Sequence, residues 1–153
     1  MKLSPNFSED CFVHSQVAQR NSIDNSFALA VHRDNAMMLC NEYLEPVRAR
    51  LDVPIIITSG YRRPAVNRLI GGAKNSSHQY GRAVDMVIVK KPLKELFNTI
   101  ITMEQARELP TFDQLIWEFG WIHLGIAAKP RKQILQAIRK NSQITYKSIT
   151  KAP

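Results

Sequence analysis

Apolar residues recur at three- and four-residue steps from Leu29 to Arg50, and this spacing predicts the clearest helix of the chain. They fall at Leu29, Val31, Ala36, Met37, Leu39, Cys40, Tyr43, Leu44 and Val47. Pro46 lies late in the run and cannot donate to the helix ladder, so a kink or break is expected near it. The same period returns from Pro92 to Met103, with Leu93, Leu96, Phe97, Ile100 and Ile101 on one face. Elsewhere the pattern shortens. Val53 to Gly60 is β-branched, brief and stopped by glycine, which reads as a buried strand. Arg82 to Val89 reads as a second strand, Phe112 to Trp117 as a third and Trp121 to Ala127 as a fourth. Glu118 to Gly120 would be the turn of a hairpin joining the last two.

The remaining segments are less regular. Met1 to Ser26 reads as a loop-rich entry with one short helix, capped by Ser8 and followed by Glu9 and Asp10 at its positive end. Pro64 to Ile70 suggests a short helix with proline in its first turn, ended by Gly71-Gly72 and followed by a loop from Ala73 to Gln79. Lys129 to Lys140 is basic and partly helical or extended. Asn141 to Pro153 is polar, a last strand with a frayed end. A chain of 153 residues without repeats or linkers is expected to form a single domain over 1–153.

One acid breaks the apolar run of the second strand. Asp85 is costly there unless it is paired or bound to a metal. His78, seven residues earlier, and His123, in the fourth strand, complete a set of two imidazoles and one carboxylate, a set that recurs in catalytic zinc sites with a position open for water. The competing reading is a salt bridge from Asp85 to Arg62 or Arg82. A proton acceptor near such a metal would most simply be Glu118, just before His123, with Asp113 as the fallback. Arg62 has the donors to hold a substrate carboxylate or stabilise an oxyanion. Ser76 could bond substrate or merely cap its loop. His14 and His32 read as packed or solvated residues.

Composition narrows the partners without choosing one. The hydrophobic share is 44% and the charged share 22%, as in ordinary globular proteins. The net charge of +8 favours polyanions such as nucleic acid, anionic lipid or an acidic wall polymer. Basic residues do not alternate with aromatics, so nucleic acid is the weak alternative. No apolar run is long enough to span a bilayer. The residues MKLSPNFSEDCF are polar and acidic where a signal peptide needs an apolar core, so synthesis in the cytoplasm is expected. Cys11 and Cys40 lack C-x-x-C spacing and read as reduced thiols.

The segment Ser76-Ser77-His78-Gln79-Tyr80-Gly81-Arg82-Ala83-Val84-Asp85 resembles the S-x-H-x-x-G-x-A-x-D signature of the zinc D-Ala-D-Ala carboxypeptidases. That superfamily also holds the lysostaphin-like endopeptidases and the hedgehog signalling domain. The preceding SGYR, the Asn67, Gly71, Gly72 pattern and the later Trp121-x-His123 match in order, and HSQVAQRNSIDN resembles the phage and prophage branch. The resemblance implies an α+β fold in which a small antiparallel sheet flanked by helices carries the zinc. It implies His78, Asp85 and His123 as metal ligands, Glu118 and Arg62 in catalysis, and Ser76, Arg62 and Tyr61 on substrate. Many members carry an acid three residues before the last histidine, a position held here by Gly120, so Glu118 is the nearest acid rather than a direct match. The implied partner is a peptidoglycan peptide cut beside a D-amino acid, by a monomer acting at the cell wall or periplasm or in a phage particle. The alternative is a non-catalytic module that keeps zinc for stability and binds wall or protein.

Overall fold

A computed structural model describes residues Met1 to Pro153. Two short helices, α1 (Glu9–Val13) and α2 (Gln16–Arg20), open the chain where one was expected. Ser8 caps the first by accepting from the Cys11 amide, and Ser15 caps the second by accepting from Ala18. The long amphipathic run forms α3 (Ala30–Leu39) and α4 (Glu45–Leu51), joined without a break by one π-helical turn over Cys40–Leu44. There the Glu45 amide donates to the Cys40 carbonyl, five residues back. Pro46 has no amide for the Glu42 carbonyl and its ring would crowd that group, so the ladder widens just ahead of it.

Strand β1 (Ile55–Ser59), helix α5 (Pro64–Leu69), strand β2 (Ala83–Ile88), helix α6 (Leu93–Gln105) and the hairpin β3 (Gln114–Trp117) and β4 (Ile122–Gly125) follow the expected order. Within the expected loop, Ser77–Tyr80 forms a 3-10 turn. The basic segment resolves as a strand, not a helix: β5 (Gln133–Lys140) turns back into β6 (Gln143–Ser148). The terminus is not frayed. Ala152 is buried, and its amide donates to Asn98 Oδ1 on α6 at 2.8 Å.

All six strands share one sheet in the order β1-β2-β4-β3-β5-β6. The class is α+β as expected, and every pairing is antiparallel except β3 with β5, which is parallel. Alternation along the strands gives the sheet two different faces. Val84, Met86, Leu115, Ile122 and Leu124 pack with Leu96, Phe97 and Ile100 of α6 in a continuous core of 28 buried residues. The opposite face carries Asp85, His123 and Ile116 in one cross-strand row.

Candidate metal centre

Three elements deliver three donors to one point. His78 comes from the 3-10 turn, Asp85 from the middle of β2, and His123 from β4, directly opposite Asp85 in the ladder. One ligand atom from each lies within 4.8 Å of the others. Asp85 Oδ1 is the meeting point, 2.9 Å from His123 Nδ1 and 3.4 Å from His78 Nε2. Donors around a tetrahedral ion sit roughly 3.3–3.4 Å apart when its bonds are about 2.0–2.1 Å. The His78–Asp85 spacing already has that value, and the His123–Asp85 contact need open by only a few tenths of an ångström.

The surroundings fix the orientation of the donors. His78 is buried, and its Nδ1 lies 2.6 Å from the Gly60 carbonyl, which accepts the ring N–H and leaves the Nε2 lone pair facing Asp85. Burial pushes the His78 imidazole toward its neutral form, the form a metal requires. Burial alone would raise the Asp85 carboxyl. The charge and hydrogen bonding of His78 and His123 overcome that and hold it well below the usual carboxylate range. Arg62 donates to the other Asp85 oxygen, Oδ2, at 2.9 Å, and its Nε donates to Ser59 Oγ. Asp85 thus has the salt bridge that the competing reading foresaw and still turns Oδ1 to the two imidazoles. Two imidazoles with one ionised carboxylate, its outer oxygen already satisfied, form a donor set suited to zinc.

The local sequence builds this pocket through backbone contacts. The Arg62 amide donates to the His78 carbonyl at 3.1 Å, stapling the loop after β1 to the 3-10 turn. Gly81 ends that turn in a left-handed conformation, φ 68°, against the backbone of His32. Only glycine serves at such a position, since a Cβ there would strike the His32 carbonyl oxygen.

The three donors stand at the floor of a cleft of about 430 Å³. Glu118 lines it. Burial raises the Glu118 carboxyl above the usual glutamate range, with His123 lowering it and the negative charge of Asp85 raising it further. Ser76 also lines the cleft, and its side chain makes no capping bond to the turn it precedes. Two expected residues are placed elsewhere or otherwise engaged. Tyr61 is 1% exposed, packed against Phe27 and His32, with its hydroxyl accepting from the Ala28 amide; it faces the core and not the cleft. Asp113, the fallback proton acceptor, is held in a two-pronged pair with Arg131. His32 lies 3.2 Å from the Tyr61 hydroxyl, outside the candidate centre. Cys11 and Cys40 are both free.

Among the cleft residues that the sequence did not point to are Arg131, Ile144 and Tyr146. Ile144 and Tyr146 alternate along β6, but alternation alone could not tell that β5 pairs beside β3 and brings β6 to the site.

A family model described as peptidase M15 matches residues 5–125. The chain is 31% identical over 84 residues to a zinc D-Ala-D-Ala carboxypeptidase of Streptomyces albus G, a stretch covering 51% of this chain and 33% of the relative. The chain thus aligns with about a third of that relative's length.

Proposed function

The chain belongs to the peptidase M15 family, and from that premise we propose that it is a zinc-dependent peptidase hydrolysing bonds next to D-amino acids in peptidoglycan stem peptides. The observation that carries the reading is the convergence of His78, Asp85 and His123 within 4.8 Å in a cleft that also holds Glu118. His78, Asp85 and His123 are the residues that would hold the ion. Zinc, when bound, supplies a Lewis acid that polarises the scissile carbonyl and makes water a better nucleophile near neutral pH. Glu118 takes a proton in the cleft and returns it to the leaving amine. Arg62 fixes Asp85, orienting the carboxylate as a partner behind the ligand. Ser76, which lines the same cleft, offers a hydroxyl to bound peptide.

Mass spectrometry of muropeptides incubated with the protein tests this directly. The expected result is a chelator-sensitive mass change. Loss of a single terminal D-alanine would identify a carboxypeptidase, and cleavage within the stem or cross-bridge an endopeptidase. Tight muropeptide binding without any mass change would overturn the peptidase in favour of a non-catalytic wall-binding module.

A further inference from the structure

We propose that the β5–β6 hairpin forms the substrate-holding wall of this cleft, with the Tyr146 hydroxyl donating a hydrogen bond to a carbonyl or carboxylate oxygen of the bound peptide. The inference rests on the peptidase reading for its ligand class, a peptidoglycan stem peptide. It assigns a role to a segment lying beyond residue 125, where the family match ends.

Sheet register places the wall. On β5, Ala137 pairs with Tyr146 of β6, and Gln136 pairs with both Trp117 and Lys147. Continuing the β3–β5 register by one residue brings Glu118 level with Ala137, so Glu118, Ala137 and Tyr146 form one cross-strand row. Alternation puts this row on the same face as Asp85 and His123. Ala137, the buried residue paired with Tyr146, contributes only a methyl group to this row. Tyr146 and Ile144 both line the cleft, although they are 52% and 46% exposed. Half-exposed large apolar side chains at a cleft rim, one of them with a polar tip, are suited to binding a ligand. The phenol is raised by burial and then by the charges of Glu118 and Asp85, so it remains a protonated donor at neutral pH.

Several other donors of the cleft are already engaged. Arg62, the obvious candidate from sequence, is already committed to Asp85 and Ser59. Gln114 is engaged with Gln133, and Arg131 with Asp113. Tyr146 takes part in none of the chain's internal side-chain hydrogen bonds, leaving its hydroxyl for a ligand. The wall is also held in place. Arg131 pairs with Asp113 and Lys132 with Glu104, pinning the entry to β5 against β3 and α6.

The test compares wild type with Tyr146→Phe and Tyr146→Ala on a purified disaccharide-pentapeptide muropeptide, reading cleavage, peptide binding, zinc content and Tm. Tyr146→Phe removes only the hydroxyl and should lower kcat/KM about tenfold, chiefly through KM. Tyr146→Ala should lower it further, with zinc content and Tm unchanged in both. Cleavage by Tyr146→Phe within twofold of wild type would overturn the assignment and leave the peptidase reading intact. A variant that loses zinc or stability would equally overturn it, by making the residue structural. Wild type that binds the muropeptide through Tyr146 but never cleaves it would support the wall and overturn the peptidase. Neither binding nor cleavage would overturn both.

Discussion

Glu118 and Asp85 show how environment assigns different work to two carboxylates that line one cleft. Asp85 is satisfied on both oxygens, by Arg62 on one side and the imidazoles on the other, and stays ionised. Glu118 has no such partner and is raised by burial, which makes it the better proton acceptor. Glu118→Gln keeps the shape of the side chain and removes its basicity. We expect muropeptide turnover to fall roughly 10²–10⁴-fold, with Tm and zinc content essentially those of wild type. Turnover within a few-fold of wild type would move the base to another residue. Asp113 is a poor substitute, since Arg131 engages both of its oxygens. The ligand candidates were legible in sequence because an acid in an apolar strand demands an explanation. The dual partnering of Asp85 was not, because Arg62 is 23 residues away and reaches it only through the loop after β1.

At the scale of elements, the site depends on one tight turn and one pinned hairpin. Gly81→Ala would add left-handed strain and a clash with the His32 carbonyl at the residue that ends the His78 turn. A loss of roughly 2–4 kcal/mol is expected from the combined terms, together with weakened zinc binding. A variant melting within a degree of wild type would show that the turn relaxes freely. Asp113 anchors the entry to β5, and its carboxyl is lowered chiefly by hydrogen bonding from Arg131. Because the folded value is the lower one, the pair stabilises above the ordinary carboxylate value of 3.8 and its contribution is lost as pH falls through the folded value. Arg131 is more than half exposed, so Asp113→Asn should cost only about 1–2 kcal/mol at neutral pH. That difference from wild type should shrink in acid-melting experiments and vanish once Asp113 is protonated; a gap that persisted there would contradict the ion-pair account. Sequence periodicity found β1 to β4 and the long helices because each is a local pattern. The strand identity of residues 133–140 and their parallel pairing with β3 rest on contacts distant in sequence, and local pattern could not supply them.

For the whole molecule, charge and metal are the two levers that act beyond a single contact. Residues 129–153 carry seven of the 21 Lys and Arg and none of the 13 Asp and Glu, so nearly all of the +8 charge sits on and around the β5–β6 hairpin. Retention on intact cell walls should therefore weaken as ionic strength rises, and retention indifferent to salt would exclude an electrostatic origin. Zinc acts on stability rather than encounter. The core of 28 buried residues lies on the far face of the sheet from the candidate centre, so the fold has apolar burial independent of the metal. Chelation should therefore leave a cooperative thermal transition, unlike a small zinc finger that unfolds without its ion. An ion that binds only the folded state at 100 times its Kd adds about 2.7 kcal/mol, which for a domain of this size raises Tm by roughly 5–10 °C. The lift should disappear in His78→Ala, which removes one donor while leaving Asp85 and Arg62 paired. A wild-type Tm unmoved by both zinc and chelator would mean that His78, Asp85 and His123 meet as a hydrogen-bonded cluster and hold no ion.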